Sequence, residues 1–124
     1  MEQLLLHLFG DFIVQNDWMA LNKKENSLKG LSACFIHCLT YSLPFFLLTN
    51  WLGVLFIFLT HFIFDSSHIV SYFLMYKNGA KDINNFGYNK ERPFALTIWL
   101  NIITDNTIHL ILNYIIIDIF NKII

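Results

Sequence analysis

Four imidazoles and three carboxylates stand in an otherwise apolar chain: His7, Asp11, His37, His61, Asp65, Asp105 and His109. Imidazole nitrogen and carboxylate oxygen are the donor types that hold zinc, iron or manganese. Seven donors exceed what one tetrahedral ion needs; two ions, or one ion with a surrounding set of orienting carboxylates, would use them all. A divalent cation is the expected cofactor, zinc first. The same residues also permit two metal-free readings. One is a relay that conducts protons or ions, and the other a structural network in which each Asp accepts a hydrogen bond from a His.

The elements that must position these groups are long apolar runs. Hydrophobic residues make up 56% of the 124, and charged residues only 14%, against ~25% in a soluble domain whose surface must be wetted. A water-soluble chain of this size could not hide so many Phe, Ile and Leu side chains. Lipid is the simpler solvent, and an all-α polytopic fold follows, a single domain of four transmembrane helices over about residues 3–21, 28–49, 51–76 and 93–120. Pro44 is expected to bend the second helix and Pro93 to open the fourth. The net charge of −1 gives no reason to invoke nucleic acid. The first apolar run lacks a basic leader and a small-residue cleavage site, so it is not read as a cleavable signal.

The connections set an orientation. Lys23, Lys24 and Lys29 lie between the first two helices, and Lys77, Lys81, Lys90 and Arg92 between the last two, while the turn at Asn50 is uncharged. The positive-inside rule puts both basic loops in the cytoplasm and both termini outside it, with a bacterial inner membrane as the expected location. Lys23 and Lys24 read as cationic anchors that set this topology, with head-group binding as the alternative. Trp18, Trp51 and Trp99 read as interface or packing markers, and Cys34 and Cys38 as small packing residues, with metal ligation as the alternative.

An Asp at the centre of a span costs ~2.5–3.5 kcal/mol, so three cost on the order of 7–10 kcal/mol and need compensation. Their spacing supplies a means. Gln3, His7, Asp11 and Gln15 recur every four residues, as do Thr97, Asn101, Asp105, His109 and Asn113, and His61, Asp65, His68 and Tyr72 follow steps of four, three and four. Residues three or four apart share a helix face, so each helix carries one polar stripe, and the second adds His37 and Tyr41. Helices one and three read His-x-x-x-Asp, whereas helix four, running the other way, reads Asp-x-x-x-His. In each, the His is the outer group. At ~1.5 Å per residue the set falls ~14–25 Å from the cytoplasmic ends, near the middle of the bilayer. The stripes are expected to face one another.

The opening HLFGDFIVQNDWMALNKK, the lone His37, THFIFD at Thr60–Asp65 and the late Asp105-Asn106-x-x-His109 together resemble the bacterial and phage membrane proteins grouped as domain of unknown function 3307. The late motif of that family usually reads Asp-Gln-x-x-His, and the family tends to carry Lys where this chain has His68. His68 is accordingly expected outside the central set. The resemblance implies a membrane location and supports the positions, but brings no activity.

Three functional classes fit a metal. A hydrolase would keep one coordination position for water, with Asp11 or Asp65 as general base, and act on a membrane-associated substrate. A transporter would pass metal ions or protons, and with four helices per chain would need a homo-oligomer. A non-catalytic protein would use the metal structurally. The carboxylate count favours the hydrolase. The topology has a direct check. With Cys34 and Cys38 replaced, cysteine reporters at Asn26 and Asn84 should be shielded from an impermeant external reagent, and one at Asn50 should react. The opposite labelling pattern would invert the orientation.

Overall fold

The computed structural model describes residues 1–123, and among them every regular element is helical. The described chain divides into two compact units, Met1–Ser67 with the chain from His109 onward, and His68–Ile108.

In the first unit, the single helix expected over residues 3–21 is three short pieces. α1 (Glu2–Leu8) runs into a π-helical stretch, Phe9–Val14, and α2 (Asp17–Asn22) follows a break. The wider winding is marked by the Gln15 amide donating to the Gly10 carbonyl five residues back, at 3.2 Å. Gln15 is then extended, and Asn16 caps α2 by accepting from the Met19 amide at 3.0 Å. Asparagine stabilises a helix start better than a helix interior, so Asn16-Asp17 begins a new helix rather than continuing the old one. Gly10 is buried against the ring of Tyr41, which any Cβ there would overlap. That close approach brings Asp11, the next residue, up to the second helix.

α3 (Leu28–Ser42) starts at Ser27, whose hydroxyl accepts from the Gly30 amide at 3.0 Å. Its buried face reads Ala33, Cys34, His37, Cys38 and Tyr41, while Leu31, Phe35, Ile36 and Leu39 point outward. Pro44 has no amide to donate and ends the α-helical pattern, and Leu43–Leu47 continues as a 3-10 helix. α4 (Trp51–Asp65) is capped by Asn50, whose side chain accepts from the amides of Leu52 and Gly53 at 3.0 and 3.1 Å. The Asn50 amide group also donates to the Phe120 carbonyl at 2.9 Å, and Asn121 donates to Leu48 at 2.8 Å, so the last turns of α6 (Phe94–Ile123) are latched to the α3–α4 turn. Tyr41, Phe45, Val54, Ile57 and Ile116 form the apolar core of this unit.

The second unit holds α5 (Ile69–Asn78), a long loop and the first half of α6. Gly79, with φ of +62°, ends α5. The loop is ordered by Asn85, which donates to the carbonyls of Asn89 and Arg92 at 3.0 and 3.2 Å and accepts from the Thr97 hydroxyl at 2.7 Å. Ser71 reaches Asn101 at 3.3 Å. Two members of the helix-four polar stripe therefore serve this unit's own loop and packing.

Two helical runs are long and apolar enough to cross a membrane: Leu28–Leu47 and Phe94–Ile123. α4 and α5, interrupted at Ser66–His68, make a third if the broken pair is one span. This is two or three spans rather than a clear four, because the expected first span is broken at Gln15–Asn16 and the expected 51–76 helix at Ser66–His68. The distribution of side chains still suits lipid. Leu21, Leu28, Leu47 and Ile13 are largely exposed, while His7, His37, His61, Asp65 and His109 are buried.

Candidate metal centre

The buried faces of α3 and α4 bring His37, Cys38 and Tyr41 against Ile57, His61 and Asp65. The first unit gathers six of the seven candidate residues: His7, Asp11, His37, His61, Asp65 and His109. Asp105 stands one helical turn before His109 on α6 and is half-buried, on the face their spacing gives them in common. His68 is exposed at the N-terminal end of α5.

The Nε2 atoms of His37 and His61 are 3.1 Å apart, and each lies 3.4 Å from Asp11 Oδ1. On the other carboxylate, Asp65 Oδ2 is 3.1 Å from His37 Nε2 and 3.4 Å from His61 Nε2, and Asp65 Oδ1 is 3.4 Å from His109 Nε2. His7 Nε2 is 3.5 Å from Asp11 Oδ2. All four imidazoles thus aim the same nitrogen at carboxylate oxygen. A good N–H···O bond spans ~2.7–3.2 Å, which leaves most of these separations too long. Donors ~2.0–2.1 Å from one tetrahedral ion stand roughly 3.3–3.4 Å apart. The triangle of Asp11 Oδ1, His37 Nε2 and His61 Nε2 has that size, so these buried and half-buried groups can hold a metal ion.

The surroundings position the donors. Asn113 donates to the Tyr41 hydroxyl at 2.7 Å, and that hydroxyl lies 2.7 Å from His7 Nδ1. The hydroxyl, which accepts from Asn113, donates its own hydrogen bond to Nδ1, so the neutral ring carries its hydrogen on Nε2 and faces Asp11 as a donor. The Tyr41 ring stacks on His61 with centroids 3.7 Å apart, and His61 lies 4.0 Å from His109. Tyr41 therefore does more than pack: it joins the apolar core to the polar centre.

Sequence reasoning gave Lys23 an anchoring role and missed its partner, Asp65. The Lys23 ammonium is 2.6 Å from Asp65 Oδ2, and Lys24 donates to the Ser67 carbonyl at 3.1 Å. Both lysines fold onto the end of α4. The available signal was the chain's own charge balance, since buried carboxylates need cations and Lys23 leaves α2 at the depth where α4 ends.

The chain matches, over residues 1–123, the model of a family described as a protein of unknown function (DUF3307). No curated protein and no solved structure is a significant match.

Breaking a buried pair from one side costs about 3–5 kcal/mol, and Lys23 is slightly exposed, so Lys23→Met should destabilise the metal-free protein by about 2–4 kcal/mol. Saturating zinc should shrink that loss, because an ion beside His37 and His61 compensates Asp65. Thermal unfolding in detergent with and without zinc measures both. An equal loss in the two conditions would separate Lys23 from the centre.

From its opening His-x-x-x-Asp to the late Asp105 and His109, the chain belongs to the DUF3307 family.

Proposed function

We propose that the protein is an integral membrane metalloprotein that uses a divalent ion, zinc first, to hydrolyse a membrane-associated substrate. The observation that carries this reading is the triangle of Asp11, His37 and His61. Three protein donors leave one tetrahedral position for water or substrate. A zinc ion there supplies Lewis acidity and brings the pKa of water toward ~7.

The chain's own residues then divide the work. Asp11, His37 and His61 hold the ion, and His7 orients Asp11 from behind. Asp65 flanks the same two imidazoles at 3.1 and 3.4 Å and is the general base, which favours it over Asp11. His109 steadies the second oxygen of Asp65. Lys23 links Asp65 to a surface cavity of about 480 Å³ lined by Lys23, Glu25, Ser27, Leu28, Leu31 and Ser66. Such a mouth suits an amphipathic substrate, its anionic part at Lys23 and its chain along Leu28 and Leu31. In this reading the chain crosses the inner membrane with both ends outside the cytoplasm, the short α1–α2 segment completing a fourth helical layer.

A second reading is ion or proton transport by an oligomer. It is favoured by the near-complete burial of His7, His37, His61 and His109, which gives an ion a line of donors rather than an open pocket. Asp65→Asn separates the two. If the site is hydrolytic, turnover of a lipid ester and phosphoester panel should fall about 10²–10⁴-fold at unchanged zinc content. Wild-type metal or proton flux in liposomes, with no hydrolysis of any panel member, would replace the hydrolase with the transporter.

A further inference from the structure

We propose that Cys38 is a sulfur ligand of this centre, which makes it a site for a thiophilic ion of the zinc class rather than for magnesium or calcium. The inference rests on the metal reading above and names the ion class that the site selects.

Cys38 lies on α3 next to His37, and its sulfur is buried completely. Ligand atoms of Cys38, His61 and Asp65 lie within 4.8 Å of one another, and all three residues are buried. A buried cysteine more often behaves as a small hydrophobe among hydrocarbon neighbours. Here an imidazole and a carboxylate offer ligand atoms within 4.8 Å of the sulfur, beside the Cys34 sulfur at 3.8 Å. The second cysteine, Cys34, has a different role open to it, since its sulfur lies 3.8 Å from both Cys38 Sγ and the Phe62 carbonyl oxygen. It can satisfy that carbonyl and leave Cys38 to the centre.

His61 belongs to two donor triads, with Asp11 and His37 in one and with Cys38 and Asp65 in the other. Its Nε2 faces the two carboxylates, while its Nδ1 is buried without a hydrogen-bond partner among the described residues. An ion seated on His61 thus has nitrogen, oxygen and sulfur donors within reach. With Cys38 as a fourth protein donor, water would enter through the five-coordinate geometry that zinc can adopt, so the sulfur ligand is compatible with the hydrolytic reading. Ligation exchanges the Cys38 S–H bond for an S–metal bond and releases the proton. Hard cations gain little from thiolate, whereas zinc, cobalt and cadmium gain much, so sulfur shifts selectivity toward them.

Cobalt(II) reports the difference. The detergent-purified full chain loaded with cobalt should show an intense near-ultraviolet sulfur-to-cobalt charge-transfer band. Cys38→Ser should abolish the band while weaker cobalt binding persists, by at least the ~10–100-fold that loss of an orienting partner costs, and Cys34→Ser should keep it. X-ray absorption at the zinc edge of the unmodified protein gives a reading independent of variant folding. A sulfur scatterer at ~2.3 Å supports the proposal, and a shell of nitrogen and oxygen alone at ~2.0–2.2 Å overturns it. Bound cobalt with no charge-transfer band, or a band that survives Cys38→Ser, overturns the sulfur ligand and leaves the metal reading standing. Failure of both cobalt and zinc to bind overturns both.

Discussion

Carboxylates held away from water must find positive charge or protons, and this requirement organises the first unit of the molecule. Asp65 is almost completely buried and Asp11 largely so. Isolated, each would be far too costly in an apolar surrounding. The observed solution puts the two on either side of the His37–His61 pair, with Lys23 closing on Asp65 and His7 standing behind Asp11. Lys23 supplies one full positive charge against the two carboxylates, and the donors gathered around His37 and His61 are spaced so that a metal ion can be held among them.

The rest of the unit serves that arrangement. Gly10 lets the π-helical stretch reach the Tyr41 ring, and the wider winding there carries Asp11 to His37. Such stretches recur at functional sites because they re-aim side chains at small cost. Tyr41 couples two environments, with its ring in the apolar core and against His61 and its hydroxyl between Asn113 and His7. The Asn50 and Asn121 latches fix the end of α6 and so the depth of Asn113 and His109. Where polar side chains fill the interior, packing and hydrogen bonding must both be satisfied, and this favours one geometry over many.

The periodic placement of polar residues made much of the centre readable. His7 and Asp11, and His61 and Asp65, are each four apart on an apolar helix, and lone His37 could lower its cost only by meeting them. What periodicity cannot give is the neighbour that receives a polar residue. Thr97 and Asn101 continue the helix-four stripe but belong to the second unit, where they bond to Asn85 and Ser71. Nor does a count of apolar residues locate breaks. Asn16 acts as a cap, and Ser66-Ser67 ends α4, although each sits inside a run that passes for one span. In sequence Lys23 and Cys38 carry only ordinary roles, an anchor at a helix end and a small residue in an apolar run, and it is the fold that sets Lys23 against Asp65 and Cys38 near His61.

The central claim is that these donors hold a metal, and it is tested most directly by metal content. The full chain, purified in detergent, reconstituted with zinc and freed of excess ion, should retain stoichiometric zinc by elemental analysis. A folded His61→Ala variant, lacking the residue shared by two of the donor triads, should retain little. Wild-type protein that holds no zinc, or a His61→Ala variant that holds as much as wild type, would contradict the account and leave the histidines and carboxylates as a hydrogen-bonded network alone.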